Sequence, residues 1–249
     1  MKRQIRKNPK EFDGILGREY HQTRKYVPHL DLLQDSVKHA LRKYLPKRKG
    51  PIIVVEAGTG TGFTTRRILD AAPRIRVLSA DISRNVLETA KENLREYGGR
   101  VTLLHADIQS VLDELPERSI DAFVSASTLH NIPIVSEGNA TERWRIFSGM
   151  MDALKHRGLF VNADKYAYDD RKIQGHVMEQ QLHLIDVAFA GQPELQKAWR
   201  EHSLEDAKMD MTIEDQIVLL ELMREGSFTE FHIPFRYAYD ATLVAIKGC

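Results

Sequence analysis

The stretch Glu56-Ala57-Gly58-Thr59-Gly60-Thr61-Gly62 places three alternating glycines behind a carboxylate. Without a Cβ, such a loop can turn sharply and let a ligand approach the backbone. The free N–H groups of a helix starting directly after it would add hydrogen-bond donors. Two further carboxylates follow short apolar runs, in Leu78-Ser79-Ala80-Asp81-Ile82 and in His105-Ala106-Asp107-Ile108. An ionised carboxylate accepts hydrogen bonds at both oxygens. Taken singly, an Asp after a strand is commonly a turn former or a helix cap. Three acids behind three successive strands, the first opening a glycine loop, fit a common ligand crevice better than coincidence.

The elements that would position these residues alternate. Ile52 to Val55 is continuously apolar, as in a strand buried on both faces. A helix over 62–71 follows, then strands at 75–80, 101–105, 120–125 and 158–163. Helices over 84–97, with Ser83 as N-cap and Gly98-Gly99 as stop, and over 139–155 separate them. This alternation predicts βαβ crossovers and a parallel sheet, whose strand carboxyl ends line the ligand site. Residues 11–45 read as helical, with Leu30, Leu33, Val37, Leu41 and Leu45 at helical spacing. Residues 168–210 are mostly helical too. A helix at 212–225 and strands at 228–233 and 240–246 close the chain, the strands forming an antiparallel hairpin on the sheet edge. The expectation is an α/β fold: a doubly wound, Rossmann-like, mostly parallel seven-stranded sheet with an antiparallel edge strand, N-terminal helices and a helical insert after strand 5.

Composition narrows the function. The 249 residues suit one domain, divided as an N-terminal helical lid (1–50), a cofactor-binding core (51–164), a helical substrate-side insert (165–211), and a closing helix with hairpin (212–249). Formal net charge is +1, which points to no nucleic-acid footprint overall. Two local basic clusters, Lys2, Arg3, Arg6, Lys7, Lys10 and Arg42, Lys43, Lys47, Arg48, Lys49, keep an RNA-facing edge open. No apolar run is long enough to span a bilayer. Met1–Lys10 lacks the apolar stretch of a secretory signal, so a cytoplasmic location is expected. The single cysteine, Cys249, excludes an intramolecular disulfide and a thiolate metal cluster.

The glycine spacing separates two ligand classes. The dinucleotide fingerprint G-x-G-x-x-G, counted from Gly58, would need its third glycine at Phe63. A nicotinamide-dependent oxidoreductase is therefore disfavoured. The motif present, acid-x-G-x-G-x-G over Glu56–Gly62, resembles that of class I S-adenosylmethionine-dependent methyltransferases, and the resemblance extends over 52–164 and 212–247. It implies S-adenosylmethionine as cofactor and S-adenosylhomocysteine as product. Asp81, with Ile82 beside it, would hold the ribose hydroxyls. Asp107 and Ile108 would meet the adenine. Ser125 to His130 would lie beside the methionine moiety and the methyl. Glu56, Gly58, Thr59, Gly60 and Gly62 would form the cofactor loop. Members often fold an N-terminal helix over the cofactor, where Arg24 could meet its carboxylate.

Methyl transfer requires an aligned nucleophile, and a general base where the acceptor must lose a proton early. Candidate bases are His130, then Tyr20, His21 and Tyr26 of the N-terminal segment; Asp164 also faces the expected crevice. His176, Glu179 and His183 share one helix face at i, i+3 and i+7. Three such side chains could approach a divalent ion, but surface helices commonly carry them, and no metal is expected. The motif after the fourth strand is Ser125-Ala126-Ser127-Thr128, unlike the Asp/Asn-Pro-Pro-aromatic motif of adenine-amino enzymes. Cys249 is misplaced for a pyrimidine C5 nucleophile. The expected acceptor is a small molecule, methylated on O, N or C, by a monomer or homodimer. RNA modification, and conversion of S-adenosylmethionine into a modified cofactor, stay open as alternatives.

Overall fold

The expected apolar runs become strands β1 (Ile52–Ala57), β2 (Ile75–Asp81), β3 (Val101–His105), β4 (Ile120–Ala126) and β5 (Leu154–Lys165), with β6 (Phe228–Tyr237) and β7 (Asp240–Lys247) at the end of the chain. A computed structural model describes residues 15–19, 22, 27, 29–47, 49–132, 142–209, 211–222 and 228–248. The seven strands form one sheet in the order β3-β2-β1-β4-β5-β7-β6. β1 to β5 are mutually parallel, and β7 runs antiparallel to both β5 and β6. The hairpin occupies the sheet edge as expected, with β6 outermost and the reversed strand β7 one place inward. The strand order changes direction between β1 and β4, the place where such sheets open a crevice at their carboxyl ends.

Helices cover both faces, which is why Val54 and Val55, neighbours on opposite sides of β1, are both fully buried. On one face, α2 (Leu30–Tyr44) and α3 (Phe63–Ala71) pack Val37, Leu41 and Ile68 against Val54, Val161 and Val244. On the other, α5 (Ile108–Asp113), α6 (Glu142–Ala153) and α9 (Ile213–Leu222) pack Val111, Phe147 and Ile213 with Phe123, Phe160 and Leu243. The insert folds as α7 (Arg171–Ala188) and α8 (Pro193–Asp206), after α1 (Ile15–Arg18) and α4 (Arg84–Asn93) earlier in the chain. Its Ile185, Phe189 and Trp199 join the core on the α2 face. The Asp170 side chain caps α7, accepting from the Lys172 and Ile173 N–H groups. Among the described residues, no helix is long and apolar enough to cross a membrane.

Several boundaries differ from the sequence pattern for local reasons. Helix α3 starts at Phe63 because Gly62 takes a left-handed conformation, φ 85°. Helix α4 stops at Asn93 rather than Tyr97, and a 3-10 turn over Arg95–Arg100 carries the chain through Gly98. Ser83 occupies the N-cap position of α4 but makes no side-chain cap bond; its own N–H donates to Asp81 instead. Strand β5 begins four residues before Gly158, because the polar run Lys155-His156-Arg157 crosses an irregularity opposite Ile120–Ala122.

Candidate active site

The glycine loop leaves β1 at the switch point and is tied to β2, with the Gly58 and Thr59 N–H groups donating to the Ala80 carbonyl at 2.9 and 3.1 Å. Gly58 has φ +80°, and a Cβ there would fall on top of Thr128 Oγ1, 2.8 Å from the Thr128 Cβ. Only glycine lets the loop and the segment after β4 approach this closely. Gly60, at φ +53°, is the opposite case: a Cβ would meet no protein atom within 4 Å, so this turn faces open space.

Beneath the loop, Glu56 is completely buried. Its Oε2 accepts from Ser79 Oγ and Thr65 Oγ1, both at 2.6 Å, and Thr59 Oγ1 lies 2.6 Å from Ser79 Oγ. Oε1 has no hydrogen-bond partner among the described residues. Burial pushes the carboxyl up to about 7; the two hydroxyl donors oppose that rise, and the nearby Asp81 charge adds to it.

Asp81, at the tip of β2, touches the loop directly. One carboxylate oxygen accepts the Gly60 N–H at 2.8 Å and the other the Ser83 N–H at 2.9 Å. Burial raises its pKa, a rise those backbone donors offset in part. Ile82 beside it is exposed. Asp107 stands at the tip of the next strand, where the Ala106 N–H donates to the Asp81 carbonyl. Here the commonplace role is present: Asp107 caps α5, accepting from Ser110 N at 2.9 Å and Ser110 Oγ at 2.7 Å. These bonds hold its carboxyl below the usual range. Ile108 is buried at the start of α5, and Ser125 is buried with its Oγ unpartnered among the described residues.

His130 lies in the turn after β4, and its ring is held by a carboxylate from the end of β5. Nδ1 is 2.5 Å from Asp164 Oδ1, and the His130 backbone N–H donates to Asp164 Oδ2 at 3.0 Å. Asp164 is buried, which alone would raise its pKa; the His130 charge, with hydrogen bonds from His130 and the Lys165 N–H, outweighs this and holds it below the usual range. With Nδ1 on the carboxylate, a neutral His130 would carry its proton there and present Nε2 as the acceptor. Nε2 has no hydrogen-bond partner among the described residues; Asp206 Oδ1 of α8 is 3.7 Å away. The backbone just before this turn is strained, with Ser127 at φ +50°.

His130 borders a cavity walled by Leu30, Val177, Leu184, Trp199 and Tyr237. Sequence reasoning missed the polar residues that the insert brings here. Lys165 pairs with Asp206, and His202 Nε2 lies 3.5 Å from the same carboxylate. Spacing offers no signal for them, since α8 reaches β5 only through the tertiary fold. Tyr20, His21, Arg24 and Tyr26 lie outside the described residues, as do Met1–Lys10 and Arg48. His176, Glu179 and His183 are exposed on α7, and His176 is engaged by Gln180 at 3.0 Å.

In an open α/β sheet, a glycine loop at the switch point marks the ligand crevice. Residues 54–158 match the family described as Methyltransferase domain. The ubiquinone/menaquinone biosynthesis C-methyltransferase UbiE of Syntrophotalea carbinolica is 35% identical over 79 residues, 32% of each chain. A carboxy-S-adenosyl-L-methionine synthase of Wolinella succinogenes is 24% identical over 95% of this chain and 90% of its own. Among solved structures, the plantazolicin methyltransferase BpumL in complex with SAH shares the fold at TM-score 0.64 and 10% identity, over 97% of this chain and 94% of that one. The CurJ carbon methyltransferase does so at TM-score 0.65 and 17% identity, over 97% of this chain and 61% of that one. The domain match over residues 54–158 and the shared fold support a class I S-adenosylmethionine-dependent methyltransferase.

Proposed function

We propose that the protein transfers a methyl group from S-adenosylmethionine to an O, N or C atom of a small-molecule acceptor, with His130 receiving the acceptor's proton at Nε2. The observation carrying this reading is the His130–Asp164 pair, which borders an apolar-walled cavity and sits in a turn packed on the cofactor loop through Thr128 and Gly58. When bound, the cofactor supplies an electrophilic sulfonium methyl. The open turn at Gly60, the Asp81 carboxylate and the unpartnered Glu56 Oε1 fit such a ligand. Gly58, Thr59, Gly60 and Gly62 would form its cradle, with Asp81 and Ile82 at the ribose, Asp107 and Ile108 at the adenine, and Ser125 near the methionine moiety. The insert over 165–211 forms the acceptor side, within a single domain. A cavity of this kind suits a small molecule better than an RNA strand. The lone cysteine fits a reducing, cytoplasmic setting.

The long match to a carboxy-S-adenosyl-L-methionine synthase supports a second reading. The product named there carries an extra carboxylate, which a buried site would balance with a cation. Among the described residues, the cations bordering the His130 site are engaged already: Lys165 by Asp206, and Arg143 by the Leu129 and Ile132 carbonyls. This favours methyl transfer. Calorimetric titration with S-adenosylmethionine and S-adenosylhomocysteine should give isotherms that Gly60→Arg abolishes. Mass spectrometry of turnover mixtures should then show S-adenosylhomocysteine with a methylated acceptor; a carboxylated nucleoside would establish the second reading, and no binding of either ligand would remove both.

A further inference from the structure

A second histidine–carboxylate pair lines the same cavity. His29, at the start of α2, places Nε2 2.6 Å from Asp240 Oδ2, at the start of β7. The imidazole lies against two aromatic rings of β6, 4.6 Å from Tyr237 and stacked at 6.2 Å on Phe235. Its remaining nitrogen, Nδ1, is buried without a hydrogen-bond partner among the described residues.

The two pairs are anchored on neighbouring strands but leave the sheet on opposite faces. Asp164 is paired with Ala241, and Asp240 with Lys165. Successive residues of a strand alternate faces, so Asp164 and Asp240 point to opposite sides. The crevice above the strand ends is therefore met by one imidazole from each side. In the neutral form of each imidazole, a carboxylate accepting the proton of one ring nitrogen leaves the other as an acceptor. A buried acceptor without a donor is costly, and two of them in one cavity call for two donors.

We propose that the acceptor is a small neutral aromatic or heteroaromatic molecule bearing two hydrogen-bond donors, ring O–H or N–H groups, one read by His130 and the other by the His29–Asp240 pair. The inference rests on the methyltransferase reading. The walls supply the aromatic part, since Trp199, Tyr237, Leu30 and Leu184 suit a flat apolar ring. Lys165 is already paired with Asp206, and the Asp240 and Asp164 carboxylates stand behind the two imidazoles, so the cavity does not favour an anionic acceptor. His29 acts on recognition: it fixes which way round the acceptor lies and so which group meets His130.

The test uses phenol, catechol, resorcinol and hydroquinone, titrated calorimetrically into the full chain saturated with S-adenosylhomocysteine. At least one diol should bind about fivefold or more tightly than phenol, equivalent to ~1 kcal/mol. That exceeds the about twofold statistical advantage of a symmetric diol. His29→Phe should reduce the preference to the statistical factor. His29→Lys, whose ammonium can keep the pair with Asp240 while carrying no acceptor, should do the same and guards against misfolding of the first variant. A diol preference that survives both substitutions, no preference in the wild type, or no binding by any probe overturns the proposal. Saturation with S-adenosylhomocysteine is checked first; its failure sinks the underlying reading, whereas its success with no diol preference sinks this inference alone.

Discussion

Replacing Glu56 by Gln tests whether the carboxylate beneath the glycine loop is stored in its protonated form. Burial moves this group from 4.5 to about 7. Each pKa unit corresponds to about 1.4 kcal/mol, so ionising Glu56 in the folded chain costs about 3 kcal/mol relative to the unfolded chain. Between these two pKa values the folded protein holds a proton that the unfolded chain has released. Stability therefore falls as pH rises through that window and levels off above about 7. A Gln amide oxygen can accept the Thr65 and Ser79 hydroxyl bonds but does not titrate. Urea unfolding of the cofactor-free protein should show the wild type losing about 2–3 kcal/mol relative to Glu56→Gln between about pH 5 and pH 8. Subtracting the two curves cancels every other titrating group. A flat difference would refute the argument, and a difference of opposite slope would mean that the folded state holds the ionised form.

Other substitutions separate loop geometry from chemistry. Gly58→Ala combines a left-handed φ with a collision at Thr128 and should cost about 2–4 kcal/mol of stability, partly recovered in the double variant with Thr128→Gly, as read by calorimetric unfolding. Gly60→Ala meets no protein atom and should cost only about 1 kcal/mol in stability, while weakening S-adenosylhomocysteine binding about tenfold or more; unchanged affinity would move the ligand away from this turn. His130→Gln should lower kcat about 10²–10⁴-fold and leave cofactor affinity unaltered, and equal activity would show that no proton passes through it. Asp164, held below the usual carboxylate range, stabilises the fold at higher pH and loses that contribution as pH falls through its folded pKa. Asp164→Asn should accordingly flatten the acid limb of the stability profile, and an unchanged limb would exclude a folded-state ion pair with His130.

The parallel core was legible because its strands are short apolar runs whose spacing is set by crossover helices, and this rhythm is local. The boundaries drifted where a residue acts through a distant partner. Ser83 reads as a helix cap, yet it is the Asp81 carboxylate that takes the Ser83 N–H. The run Lys155-His156-Arg157 reads as a break, yet β5 passes through it at a register shift.

The same division separates the two halves of the site. Glu56, Thr59, Ser79 and Asp81 meet around the glycine loop because one βαβ unit returns the chain to the adjacent strand tip, so their closeness follows from topology that the pattern already implies. His130 and Asp164 could each be picked out as strand-end residues, but no spacing pairs them; the second crossover does. The His29–Asp240 contact spans 211 positions and depends on β7 reversing direction beside β5. An antiparallel strand starts where its parallel neighbour ends, and this reversal brings the first residue of β7 to the crevice. A fold closed by a parallel seventh strand would carry Asp240 to the opposite end of the sheet and leave the cavity beside His130 with one imidazole. The proposed cofactor half is thus written in a local motif, whereas the proposed recognition of the acceptor depends on how the last hairpin is threaded.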